Sequence, residues 1–207
     1  MPIPSHLQAY AAEPQTKKCH TSFDLRCSCG HNLFFPFRRI ETAEENHLLR
    51  PYYDYLELIF SGSRKVTRDE EGNIHHWHTE NGEWVENRRP DRPFFAGMEV
   101  LRVICASCGH EIAVFDSRHH GYDALYCDTL TNEAAAYEPT LRQIGNRDGS
   151  PVRITVKLEH DESLEEFREI VGAEATYEEY ANAFTWIWVS ATPPTGKKKK
   201  IFEAETG

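Results

Sequence analysis

The chain has 207 residues, enough for one substantial domain with a real core, and its 40% apolar and 12% aromatic content argues for a folded protein. Its formal charge of −10, from 33 acidic and 23 basic residues, opposes nonspecific nucleic-acid binding, which needs surplus Lys and Arg to displace phosphate counterions. The longest apolar stretches, such as LFFPF and TWIWV, are too short to span a bilayer, and MPIPSHLQAY lacks the basic and apolar regions of a secretory leader.

A cytoplasmic location is therefore expected, where six cysteines point to metal or free thiols more than to disulfides. Residues 1–19, with Pro2, Pro4 and Pro14, read as an irregular arm. From Thr21 the chain alternates, with Phe23 and Leu25 on one strand face, and NLFFPF resumes as a strand after a Cys-Gly turn. Residues 41–60 open like a helix that Pro51 interrupts, and Leu56, Leu58 and Phe60 then alternate as in a strand. KVTRDEEGNIHHWHTENGEWVENRRP reads as a β-meander with turns at DEEGN and TENGE and strands KVTR, IHHWH and WVEN. MEVLRVIC, residues 98–105, is a strand entering a second cysteine pair, and EIAVFD leaves it.

Beyond Tyr126, residues 127–151 carry a short helix and a Gly-Pro-rich loop, and PVRITVKLEH is a strand. SLEEFREIVGA has a Ser163…Glu166 capping box with Leu164, Phe167, Ile170 and Val171 on one face. TYEEYANAF repeats the device with Thr176…Glu179, stacking Tyr177, Tyr180, Ala181 and Phe184. TWIWVSA is apolar on both faces, which predicts a central strand with Trp186 and Trp188 in the core. Lys197 to Lys200 beside TPPTG read as a solvated tail. The expected organisation is an arm (1–19), a metal-binding β domain (20–126), an α/β extension packed on it (127–192) and a flexible tail (193–207). The fold class is α+β: a mainly antiparallel β domain with a C-terminal β-α-α-β extension.

FDLRCSCGHNLFF and LRVICASCGHEIAVF share one plan: alternating strand, cysteine pair, Gly-His, alternating strand. Two thiolates on a tight turn point the same way, and the glycine permits the positive φ that turns backbone N–H groups toward the sulfurs. Cys27, Cys29, Cys105 and Cys108 supply the four ligands of one tetrahedral, structural zinc. Closing the 75 residues between Cys29 and Cys105 with metal contributes on the order of 10 kcal/mol. His31 and His110 follow the glycines and are not needed as ligands. Cys19 and Cys127 remain, as core residues or substitute ligands.

A Cys-x-Cys-Gly turn, some seventy β-rich residues and a Cys-x-x-Cys-Gly turn resemble the β-tent zinc fold. That fold is shared by Yippee-like proteins, the thalidomide-binding domain of cereblon, methionine sulfoxide reductase B and the glutathione-dependent formaldehyde-activating family. The last is most similar in spacing: Cys27, Cys29, Gly30 and Cys105, Cys108, Gly109 match its structural zinc site. The resemblance covers residues 20–126 and implies a zinc-ribbon-like β domain. The family's second, catalytic zinc uses additional cysteines between the two turns, and this chain has none there.

Other chemistry-bearing residues cluster in VFDSRHHGYDALYC. Asp116, Arg118, His119, His120 and Asp123 stand where a strand runs into a loop, a place suited to ligating a metal or to acid–base work. In IHHWHT, alternation puts His76 and His78 on one face and His75 and Trp77 on the other. Trp77 and Trp84, on the meander, are candidate ligand-binding aromatics. The expected function is a cytosolic, zinc-stabilised recognition or accessory module that binds a protein partner, in a setting such as bacterial immunity or defence. Either its acidic surface, which would suit a basic partner, or the 116–123 loop is the expected contact surface. The alternative is a metal-dependent hydrolase or nuclease built on the Asp116–Asp123 cluster.

Overall fold

The computed structural model describes residues 2–61, 64–69, 74–87, 97–126, 136–146 and 148–206. The chain divides into two compact units, one of residues 1–40 with 98–207 and one of residues 41–97. No helix among the described residues is long and apolar enough to cross a membrane.

The larger unit is built on two antiparallel sheets. It begins with a helical turn, α1 (Ser5–Gln8), then β1 (Ala11–Lys17) and β2 (His20–Leu25), which pair with each other. Residues 1–19 are thus not an irregular arm: Leu7 is fully buried, and β1 forms a sheet edge despite Pro14, which an edge strand tolerates. After the first cysteine pair comes β3 (Phe34–Arg39). The excursion of residues 41–97 follows, and the unit resumes with β7 (Val100–Cys105) and β8 (Glu111–Asp116). A short helix, α3 (Tyr122–Tyr126), precedes a three-residue strand, β9 (Leu141–Gln143). The helix expected within 127–151 falls mostly outside the described residues.

Strand β10 (Arg153–Glu159) leads to α4 (Leu164–Val171), α5 (Tyr177–Asn182), β11 (Trp186–Thr192) and β12 (Lys199–Glu205). The first sheet runs β1-β2-β10-β11-β12 and the second β8-β7-β3-β9. The C-terminal β-α-α-β segment is therefore no appendage. β10 pairs with β2 from Glu159↔His20 to Thr155↔Asp24, and with β11 from Arg153↔Thr192 to Glu159↔Trp186, so these strands complete the main sheet. Nor is 193–207 a flexible tail. β12 pairs with β11 and buries Phe202 and Ala204, and a buried Phe contributes roughly 2–3 kcal/mol.

One core joins the two sheets. Phe23, Leu25, Ile154, Val156, Ile187 and Val189 from the first meet Phe34, Val103, Ile112, Val114 and Phe115 from the second. Trp186 and Trp188 lie outside it. Strand β11 is central, as expected, but its burial alternates, so both indoles are half-buried on the opposite face, stacked 5.5 Å apart at 6°. A smaller cluster of Phe167, Ala175 and Ala183, joined by Tyr180, anchors α4 and α5. Both capping boxes form, at Ser163–Glu166 and Thr176–Glu179. Ile170 and Tyr177 point to solvent instead of joining the expected apolar faces.

The smaller unit contains helix α2 (Ala43–Ser61) and the meander β4 (Arg64–Arg68), β5 (Ile74–Glu80) and β6 (Glu83–Glu86). α2 begins at a capping pair, where Thr42 N–H donates to Glu45 and Glu45 N–H to Thr42 Oγ1. Pro51 does not end it, and no strand forms at residues 56–60: the helix gives up one i→i−4 bond and continues. The tight β5–β6 turn has Asn81 and Gly82 at φ 51° and 86°, as an Asn-Gly hairpin requires. Most of DEEGN lies outside the described residues.

Candidate metal centre

The two cysteine turns are built alike. In the first, Cys27 N–H donates to His31 C=O and Gly30 N–H to Cys27 C=O, with Gly30 at φ 87°. In the second, Cys105 N–H donates to His110 C=O and Gly109 N–H to Cys105 C=O, with Gly109 at φ 73°. Both glycines hold conformations that side-chain-bearing residues resist. The leading cysteine of each pair is buried at the end of a strand or just past it, and the trailing one is exposed.

What brings the turns together is β3, which leaves the first and pairs with β7 entering the second, Phe34 opposite Cys105. Ala106 N–H donates to Leu33 C=O across the gap. Only the second turn is a hairpin. The first joins β2 in the five-stranded sheet to β3 in the four-stranded sheet, so the cysteines tie the two layers at a corner.

The four sulfurs lie within 4.8 Å of one another. Cys27 Sγ is 3.6 Å from Cys108 Sγ, and Cys29 Sγ is 3.6 Å from Cys105 Sγ. A disulfide would need about 2.05 Å, whereas a tetrahedron with metal–sulfur bonds of about 2.3 Å has edges of about 3.8 Å. The cluster could hold a metal ion such as zinc. Its titration is that of a set. The Cys29 backbone N–H leads in lowering Cys27 to about 6. At Cys108 the His110 backbone N–H works downward, but hydrogen bonds with the Cys29 and Cys27 thiols outweigh it and push it up to about 12. Four adjacent thiols cannot all ionise alone, and a divalent cation removes that conflict.

His31 and His110 are exposed, and His110 Nε2 meets the Tyr10 hydroxyl at 2.9 Å. Cys19 lies in the β1–β2 turn, at the far end of β2 from Cys27, and is not part of the cluster. Cys127 falls outside the described residues.

The residues at 116–123 do not converge. Asp116 and Arg118 form a buried pair, Arg118 Nε donating to Oδ1 at 2.8 Å and an Nη to Oδ2 at 2.6 Å. Burial alone would raise Asp116, but these bonds hold it below the usual carboxylate range. Arg118 also donates to the Tyr137 carbonyl. His120 stacks on His6 at 3.6 Å, its Nδ1 accepting the Asp116 N–H, and burial lowers its pKa to about 3. His119 and Asp123 are exposed. His119 and His120 line a pocket with Ser5, His6, Leu125 and Asn182, to which Asp116 and Arg118 do not contribute.

On the meander, the pairs Trp77↔Glu86 and Thr79↔Trp84 place both tryptophans on one face with His75, leaving His76 and His78 on the other. Trp77 Nε1 donates to Thr67 Oγ1 at 2.8 Å, and Trp84 is 47% exposed with the Lys65 ammonium over its ring. His75 is raised above its ordinary pKa, first by its bond to Glu86 and then by Asp69.

Among the described residues, one other set of ligating side chains converges: Cys19, His20 and Glu159. Sequence reasoning missed it, because only the β2–β10 register brings Glu159 beside His20.

Fold and site define an α+β protein, mostly antiparallel sheet, with a four-cysteine cluster that could bind zinc. No protein-family model, curated protein or solved structure matches the chain.

Proposed function

We propose that this protein is a zinc-stabilised recognition module, in which one structural zinc in the four-cysteine cluster clamps a β-tent-like scaffold and the inserted unit of residues 41–97 contacts a protein partner. The observation that carries this reading is the placement of the insertion. It leaves β3 and returns on β7, neighbours paired from Arg38↔Leu101 to Phe34↔Cys105, so the metal cluster and the base of the insertion share one strand pair. Variable binding elements are commonly carried by segments held on a rigid frame in this way. The inserted unit exposes Val66, Trp84 and Val85, and a Trp in such a setting is a typical interface anchor. A context such as bacterial immunity or defence belongs to the same proposal.

The test compares partner capture by the wild type, by Val66→Ser/Trp84→Ala/Val85→Ser and by His119→Ala/His120→Ala/Asp123→Ala. Loss of the same partner from the first variant alone supports the reading; capture unchanged by it sinks the inserted unit as the contact surface. A second reading rests on the pocket at His119 and His120, the concavity that a hydrolase or nuclease at this loop would use. Metal-dependent cleavage of nucleic-acid or ester substrates, abolished by His119→Ala, is its expected signature.

A further inference from the structure

Three ligating groups outside the four-cysteine cluster meet where β2 begins and β10 ends in the five-stranded sheet. Cys19 stands in the two-residue turn between β1 and β2, across which Lys17 pairs with His20. His20 opens β2 and pairs with Glu159, the last residue of β10. Thiol, imidazole and carboxylate donor atoms all lie within 4.8 Å of one another, and His20 and Glu159 are half-buried.

We propose that Cys19, His20 and Glu159 form a second metal site, for a borderline divalent ion such as zinc, with three protein ligands and a fourth position open. The His20 ring carries the first argument. Its Nδ1 is buried and makes no hydrogen bond, although Glu159 Oε2 is only 3.1 Å away. A nitrogen lone pair and a carboxylate oxygen at this separation, off the line of a hydrogen bond, are both satisfied by one cation between them.

The mutual distances carry the second. In a nucleophile–base–carboxylate relay the imidazole stands between the other two groups, which then lie on opposite sides of the ring. Here thiol and carboxylate are within 4.8 Å of each other, so the three groups converge on a point instead of forming a line. The backbone beneath them is fixed: His160 N–H donates to Cys19 C=O at 3.1 Å and Thr185 N–H to Glu159 C=O at 2.9 Å. The Trp188 ring stands edge-on to His20, at 6.5 Å and 74°.

The donor set selects the ion. A thiolate beside an imidazole favours zinc-like ions over magnesium or calcium, which take oxygen. Three protein donors leave a position for water or an exchangeable ligand, the pattern of an open site, whereas the four-cysteine cluster is closed.

The experiment counts zinc per chain on the full-length protein, loaded with excess zinc and freed of unbound metal by gel filtration. The wild type is expected to hold two equivalents, and Cys19→Ala and Glu159→Gln one each. Glu159→Gln is nearly isosteric, and the remaining equivalent together with wild-type circular dichroism shows that either variant is folded. One equivalent in the wild type that Cys19→Ala and Glu159→Gln both retain, or two in either variant, overturns the proposal. Failure of the four-cysteine reading looks different: Cys105→Ser would then leave the count unchanged.

Discussion

Gly121 is held at φ 90°, and a Cβ there would stand 2.5 Å from Thr206 Cβ, whose residue is buried and whose N–H donates to Thr185. Gly121→Ala is accordingly expected to cost about 1–3 kcal/mol, read as a lowered denaturation midpoint. Arg118 presents a different constraint, because its guanidinium neutralises a carboxylate that is itself buried. Arg118→Ala leaves the Asp116 carboxylate buried without its counter-ion and is expected to destabilise by about 3–5 kcal/mol in urea unfolding. His160 is 2% exposed, and burial lowers its pKa to about 4 against the opposing pull of the Ala181 and Tyr180 backbone. A histidine depressed in this way stays neutral in the folded state while the unfolded chain protonates. Its contribution is complete above pH 6.5 and is lost as the pH falls from 6.5 towards 4. His160→Leu should therefore lose less stability than the wild type across that window, by about 3 kcal/mol. Acid release of metal from the cysteines is common to both proteins and cancels in the difference.

Among the elements, the two capped helices were the most legible in the sequence. Ser163…Glu166 and Thr176…Glu179 are local patterns, and both boxes form as written. Ser163→Ala or Thr176→Ala is expected to cost about 0.5–2 kcal/mol, measured by chemical denaturation. Helix α2 departs from the expected break for an equally local reason. Pro51 is the strongest breaker in the alphabet, yet the loss of one backbone bond does not outweigh the turns on either side of it. Pro51→Ala is expected to stabilise this helix by about 1–3 kcal/mol and to raise the melting temperature. Trp186 and Trp188 were misplaced because an apolar run states that a strand is central but not which of its faces meets the core. Strand β12 is hidden by the Lys197–Lys200 run that overlaps its start, although Phe202 and Ala204 already alternate.

At the scale of the whole molecule, the four-cysteine cluster ties together segments that no local interaction would join. Cys105→Ser is expected to abolish metal binding at the four-cysteine cluster and remove on the order of 10 kcal/mol, comparable to the total stability of a domain of this size, so the variant should not fold. Cys27, Cys29, Cys105 and Cys108 could be read from the text because metal-ligand spacing on a turn is short-range chemistry. The same holds for strand alternation, the Asn81-Gly82 turn and the helix caps, each set by residues within a few positions of one another. The division of the chain was not legible: residues 127–192 looked like an addition, and β10 and β11 turn out to be the middle of the main sheet. That pairing is decided by the burial of Ile154, Val156, Ile187 and Val189 in the core shared with the second sheet, a property of the assembled molecule. The convergence of Cys19 and His20 with Glu159 was invisible for the same reason, since register is a long-range quantity. The sequence by itself determined the turns, the caps and the four cysteines; the tertiary structure alone decided which strands are neighbours and which distant side chains meet, because only packing of the whole core selects among the pairings that local patterns allow.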